Sequence, residues 1–187
     1  MTRATLTARP VARYALIYGG IAGAIVISVI SAGIALDWPN HSTSEWFGYL
    51  VMLLALSLIF VGVKRFRDVE CGGVIGFGRA LGLGLAIAIV AALIYIIGWE
   101  IYVATSDRDF IAEYGRSVVA DLRADGATQT KIDATAAQMR ELSVKYRDPL
   151  FRIPITFVEI FPVGLLMALV SAALLRNPRL LPARAEA

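Results

Sequence analysis

The chain has 187 residues, of which 58% are hydrophobic, and its mean hydropathy is +0.68. A water-soluble domain of this length does not bury so much apolar surface, so the excess is expected to face lipid. The net charge of +3 comes from basic residues spread along the chain, which gives no support to a nucleic-acid-binding patch. The single cysteine, Cys71, excludes an internal disulfide and has no histidine nearby in sequence that would complete a metal site.

The hydropathy pattern predicts four transmembrane helices. A bilayer core of about 30 Å requires about 20 apolar helical residues. Four stretches have this character, at residues 14–36, 46–63, 80–103 and 153–175. The first follows a basic leader, as a secretory signal would, but it is longer than the roughly 7–15 apolar residues of a cleavable signal. We therefore expect it to remain in the protein as a span.

The basic residues of the short loops predict that both termini are cytoplasmic. Loop 37–45 has no lysine or arginine. The leader, loop 64–79 and the C-terminal tail carry Arg3, Arg9, Arg13, Lys64, Arg65, Arg67, Arg79, Arg176, Arg179 and Arg184. Because lysine and arginine in short loops stay on the cytoplasmic side, four spans place all three basic segments inside the cell. Cys71 is then a free thiol in a cytoplasmic loop.

Segment 105–150 is charged, and its apolar residues recur at helical spacing, which predicts an extracytoplasmic αα-hairpin. The two apolar stripes are Phe110, Ile111, Tyr114, Val118, Val119 and Leu122, then Ile132, Ala136, Met139, Leu142 and Tyr146. Asp125-Gly126 separates the two helices, and Thr130 with Asp133 predicts a capping box at the start of the second. Asp148-Pro149 is expected to end it. The hairpin either connects spans three and four or covers a site or binds a partner.

Small residues at four-residue spacing occur in the first and third spans. Gly19 and Gly23 form one such pair, and Gly78 and Gly82 form another. Rows of this kind let two helix backbones approach closely in a membrane. They predict packing between helices of the same chain, with contact between copies as the alternative.

Two carboxylates in apolar surroundings define a candidate intramembrane polar site. Glu100 lies near the outer end of the third span, and Glu159 lies in the fourth, close to Pro162. A carboxylate in the membrane is costly unless it is protonated or paired, so these two are predicted to share a proton or a cation. Pro162 leaves the carbonyl of Val158 without its helical donor, which adds an acceptor. In the alternative, Glu100 lies among the headgroups and Glu159 is neutral or pairs with Arg152.

Other candidates have simpler interpretations. His41 is expected to be a solvated residue of the short outer loop. The glycine-rich run 72–78 lacks the lysine of a phosphate loop and is expected to be a flexible lead into span three. No catalytic triad, H-E-x-x-H or C-x-x-C pattern is present in the sequence, so no enzyme activity, cofactor or metal is expected.

Several strings taken in order resemble a bacterial family of four-span membrane proteins known as a domain of unknown function, DUF4199. They occupy residues 58–68, 72–80, 98–102 and 149–152, the last leading to 161–164. The likeness extends from about residue 14 to residue 176. It implies a location in the bacterial inner membrane and implies no activity.

Two functional hypotheses follow. The first is a non-enzymatic protein with a role in interaction, assembly or envelope maintenance, as a homo-oligomer or with another membrane protein. The second is a small proton- or cation-coupled carrier or channel that uses Glu100 and Glu159. A third hypothesis, an enzyme that acts on lipid headgroups with the same two carboxylates, has less support because the sequence offers no nucleophile for it.

Overall fold

The structure, a computed structural model, describes residues 8–36, 45–106 and 109–182. Within these ranges the chain is helical and forms no strand. Four helices are long and apolar enough to cross a membrane: Arg9–Ala35, Trp46–Glu70, Phe77–Thr105 and Pro149–Leu175. The predicted all-α fold class is confirmed. His41 and loop 37–44 lie outside the described residues.

The first span consists of three segments, α1 (Ala8–Tyr14), a π-helical turn (Ala15–Gly19) and α2 (Gly20–Ala35). It begins earlier than the predicted span because the helix continues into the basic leader, where Pro10 is tolerated in the first turn. The π-helical turn shifts the side chains that follow it around the helix axis.

The second span is divided at Ser57 into α3 (Glu45–Leu56) and α4 (Leu58–Glu70). The Ser57 hydroxyl donates a 2.6 Å hydrogen bond to the carbonyl of Leu54, a back-bond that often bends a helix. The helix continues past the predicted end at Val63, and the Lys64 ammonium binds the Asp68 carboxylate there at 2.6 Å. Hydropathy therefore located the membrane-spanning part but not the end of the helix.

The centre of the bundle is the antiparallel pair α5 (Phe77–Thr105) and α8 (Pro149–Leu175), and α5 also packs against α2 and α4. Small residues allow the backbones of α5 and α8 to approach closely. A Cβ added to Gly84 would lie 2.9 Å from the Cβ of Ala168, and one added to Gly164 would lie 2.9 Å from the Cβ of Ala88. These contacts fix which residues of the two helices are opposite each other.

The segment between α5 and α8 forms a helical hairpin of α6 (Phe110–Ala124) and α7 (Gln129–Tyr146). Gly126 has φ +71° in the turn, a conformation that favours glycine. The predicted capping box is wrong. Thr128 occupies the N-cap position of α7, so Thr130 lies inside the first turn, and Asp133 instead accepts a 2.8 Å hydrogen bond from the Gln129 side chain.

Candidate intramembrane polar site

The candidate site lies between α5 and α8, at the end of the bundle next to the hairpin. The Asp148 carboxylate caps the N-terminus of α8 by accepting a 2.9 Å hydrogen bond from the backbone N–H of Leu150, and Pro149 occupies the first helical position. This start places Arg152 in the first turn of α8, where its side chain is buried against α5. A cavity of about 200 Å³ lies between the C-terminal end of α5 and the hairpin, and Arg152 forms part of its wall.

Arg152 and Glu100 form a two-pronged ion pair. The Arg152 Nε and Nη2 donate to the two carboxylate oxygens of Glu100 at 2.7 Å and 2.5 Å, and Nη1 donates to the carbonyl of Tyr146 at 2.9 Å. Arg152 is 6% exposed and the Glu100 side chain 24%. The charge of Glu100 is therefore compensated by the protein, which leaves it unsuited to sharing a cation with Glu159.

A cluster of aromatic residues ties the hairpin to the bundle. The Trp99 Nε1 donates a 2.9 Å hydrogen bond to the Tyr146 hydroxyl, and the Trp99 ring meets Phe110 edge-on at 5.3 Å. The guanidinium of Arg152 lies 5.7 Å from the centre of the Tyr146 ring, within cation–π range. Burial raises the pKa of Tyr146, so its hydroxyl remains protonated at neutral pH.

Deeper along the same interface lie Thr156 and Tyr95, with Glu159 at its edge. Thr156 is 2% exposed and donates to the carbonyl of Arg152 at 3.1 Å. The Tyr95 hydroxyl, on a side chain that is also 2% exposed, lies 3.5 Å from a Glu159 carboxylate oxygen. That separation is long for an O–H···O hydrogen bond, so Glu159 has a weak partner within the described part of the chain.

Glu159 lies where the outward face of α8 meets the interface with α5. Its side chain is exposed, as are those of Ile155, Val158, Pro162 and Leu166 along the same face. Pro162 lies within α8, and the helix continues past it to Leu175. The carbonyl of Val158 loses its helical N–H donor at this proline, which leaves a second acceptor on the Glu159 face.

The structure therefore separates the two predicted carboxylates. Arg152 pairs with Glu100 and not with Glu159, which corrects the alternative pairing. Arg152 and Glu159 are seven residues apart on one helix, which is about 10 Å along its axis. The sequence interpretation missed Tyr95 and Thr156, and it assigned Tyr146 only to the apolar stripe of the hairpin. Tyr95 precedes Trp99 by four residues and so lies on the same face of α5.

The two glycine rows have different surroundings. A Cβ on Gly19 would lie 2.6 Å from the carbonyl oxygen of Ile87, and one on Gly23 would lie 2.5 Å from that of Ala91. The first row therefore packs directly on α5. A Cβ on Gly78 or Gly82 would meet no atom within 4 Å, so this pair takes no part in packing between the described helices.

The loop between α4 and α5 holds the remaining candidates. Gly72 and Gly73 have φ of +61° and +86°, so the glycine run forms a turn that other residues would strain. Cys71 is a free thiol whose pKa is raised by burial, which makes it a poor nucleophile. No group of three His, Cys, Asp or Glu side chains in the described ranges is arranged to hold a metal ion.

Comparison with known proteins gives one match. The model of a family described as protein of unknown function (DUF4199) matches residues 13–177. No curated protein and no solved structure is significantly similar to this chain. Because the match covers nearly all of the four-helix bundle and its hairpin, the chain belongs to the DUF4199 family of proteins of unknown function.

Proposed function

We propose that this protein is a non-enzymatic interaction protein of the bacterial inner membrane, and that the outward face of α8 around Glu159 binds another transmembrane helix. The observation that carries the proposal is an exposed carboxylate on an apolar helix with a single long contact to Tyr95. The partner helix belongs to a second copy or to another membrane protein.

The cost of leaving Glu159 against lipid supports a partner. Insertion of a charged carboxylate at the centre of a membrane helix costs about 2.5–3.5 kcal/mol. A neighbouring helix that donates hydrogen bonds to Glu159 and to the carbonyl of Val158 removes much of that cost. The exposed apolar side chains around them, Ile155 at 40%, Val158 at 66% and Leu166 at 54%, supply the packing surface.

The orientation and the location are part of the same proposal. The lysine and arginine bias supports cytoplasmic termini, and in that orientation the hairpin lies outside, on the side of the Arg152–Glu100 pair. The proposed role in interaction, assembly or envelope maintenance needs no catalytic residues.

Cysteine crosslinking in native membranes tests the proposal. In a Cys71→Ser background, Val158→Cys and Leu166→Cys place thiols on the α8 face, and Leu93→Cys is the matched control on α5, where Leu93 is 50% exposed. We expect oxidative or bifunctional crosslinking to give adducts from both α8 positions, identified by mass spectrometry, with none from Leu93. Adding Glu159→Ala should weaken them. Recovery of the monomer alone from every position would remove the proposal.

A proton-coupled carrier is the alternative, and a polar line along α5 and α8 favours it. Tyr146 lines the cavity beside the hairpin, Thr156 lies one turn beyond Arg152 on α8, and Tyr95 contacts Glu159 at the edge of the interface. Since Glu100 is neutralised by Arg152, Glu159 would be the carboxylate that takes up the proton. In proteoliposomes with an enclosed pH indicator, Glu159→Gln should abolish proton flux, and the absence of flux in the parent protein would end the alternative.

A further inference from the structure

A second polar site lies at the opposite end of the bundle, between the first span and α4. It is a groove of about 250 Å³ whose walls include Arg13 and Tyr18 on one side and Arg65 and Val69 on the other. Arg152 and Glu100 lie at the other end of the membrane helices, so the groove is independent of the site described above.

The walls of the groove are held in place by packing. Tyr18 belongs to the π-helical turn, and its ring lies 3.0 Å from the position that a Cβ on Gly62 would occupy. A side chain at position 62 would therefore push Tyr18 out. The Tyr14 ring lies nearly parallel to that of Tyr18, with centres 6.0 Å apart, and meets Phe66 edge-on at 5.3 Å. The groove is therefore built from packed side chains on both of its walls.

The groove combines apolar surface with two arginines that have no ion-pair partner among the described residues. Arg13 and Arg65 are exposed, and neither guanidinium makes an ion pair or a side-chain hydrogen bond with any other residue that the structure describes. Glu70 also lines the groove, so the charge of these three groups sums to plus one. Ile17 is 44% exposed and Val69 is 65% exposed. A ligand that fits has an anionic group next to an apolar one.

We propose that the groove binds the phosphate of an anionic phospholipid from the membrane leaflet on the side of Arg13 and Arg65. A guanidinium group binds phosphate through paired hydrogen bonds, and basic pockets between transmembrane helices are suited to acidic headgroups. The acyl chains follow the outward face of the first span, where Ile17 and Ile21 are exposed. The arginines of this end are those that predict the cytoplasmic side.

Native mass spectrometry of the delipidated full-length protein with added lipid tests the site. The probes are phosphatidylglycerol, phosphatidylcholine and inorganic phosphate. We expect one phosphatidylglycerol to be retained in preference to phosphatidylcholine. Each of Arg13→Gln and Arg65→Gln should weaken retention about fivefold, the effect of one basic residue near an anionic surface. Arg65→Lys should retain most of the binding, and Arg176→Gln, which removes an exposed arginine just after α8, should change nothing.

Three results would overturn the proposal. They are equal retention of the two lipids, unchanged retention in both glutamine variants, and displacement of phosphatidylglycerol by millimolar inorganic phosphate, which would assign the groove to a soluble phosphate. A variant that misfolds is identified by its loss of helix content, measured by circular dichroism. Ile17→Trp then provides a second test, because it fills the apolar side of the groove without altering charge and should also reduce retention.

Discussion

The guanidinium of Arg152 donates two hydrogen bonds to the carboxylate of Glu100, across the interface between α8 and α5. The same guanidinium donates to the carbonyl of Tyr146, the last residue of α7. One buried side chain therefore joins a membrane helix, its neighbour and the hairpin.

Removing one partner of this pair should destabilise the fold. Because Arg152 is 6% exposed, Arg152→Met leaves the Glu100 carboxylate without its counter-charge, and we expect a loss of about 3 kcal/mol in the free energy of unfolding in mixed detergent micelles. The double variant Glu100→Gln/Arg152→Met should lose less than the sum of the single variants. Glu141→Gln, which breaks the exposed pair with Lys145, is the control and should cause no measurable change. Additive losses in the double variant would contradict the coupling.

The two glycine rows should respond oppositely to alanine. Gly23→Ala brings a Cβ to 2.5 Å from the backbone oxygen of Ala91, which cannot rotate away, so we expect a loss of about 1–3 kcal/mol. Gly82→Ala meets no atom within 4 Å and should be neutral or stabilise by up to about 1 kcal/mol, because alanine favours helix. The free energies of unfolding of both variants, measured in the same detergent, test this difference. Similar losses would show that Gly82 is packed by a partner.

Asp109 should make the stability of the hairpin depend on pH. Burial alone would raise its pKa, but hydrogen bonds from the Ala112 backbone, Arg147 and Ser143 outweigh burial and lower it. The folded pKa then lies below the unfolded one, so the stabilisation is present above about pH 4 and is lost as the pH falls through the folded pKa.

The difference between wild type and Asp109→Asn measures this contribution. At neutral pH we expect it to be at most about 1 kcal/mol, since the Asp109 side chain is 39% exposed, and to shrink towards pH 3. Asp121→Asn, an exposed change on the same helix, controls for general charge effects. A difference that stays constant between pH 7 and pH 3 would show that the carboxylate charge is not its source.

Arg67 should hold the C-terminal segment against α4. Its fully buried guanidinium donates to the carbonyls of Leu180 and Leu181 at 2.9 Å and 2.5 Å. Arg67→Met should accelerate tryptic cleavage after Arg179 roughly tenfold, since charged hydrogen bonds of about 1.5 kcal/mol or more are lost. Arg67→Lys should not restore protection, because one ammonium does not reproduce the fork. Arg65→Gln, an exposed neighbour, should cleave like wild type, and equal rates in all variants would contradict the role of Arg67.

The membrane spans and the hairpin were predictable because their signals are local. A helix that spans lipid needs about 20 apolar residues, and these residues are consecutive in the sequence, as in 153–175. The breaks at Gly126 and Pro149 are equally local, because they depend on the backbone of one residue. The helix ends were less predictable, since backbone hydrogen bonding continues beyond the apolar stretch, as in α4.

Pairing between helices depends on register and rotation, which the spacing within one helix does not contain. Gly23 and Gly82 belong to rows with the same spacing, yet the direction of the neighbouring backbone buries the first and leaves the second open. The sequence suggested Glu159 as the partner of Arg152, whereas the antiparallel register of α5 and α8 places Glu100 opposite it. The rotation of α8 about its axis leaves Glu159 exposed at the edge of this interface. The hydropathy pattern of the sequence by itself determined that the chain has four apolar helices long enough to span a membrane. The packing of helices around α5 decided which of its charges are paired, because pairing is a property of two surfaces rather than of one segment.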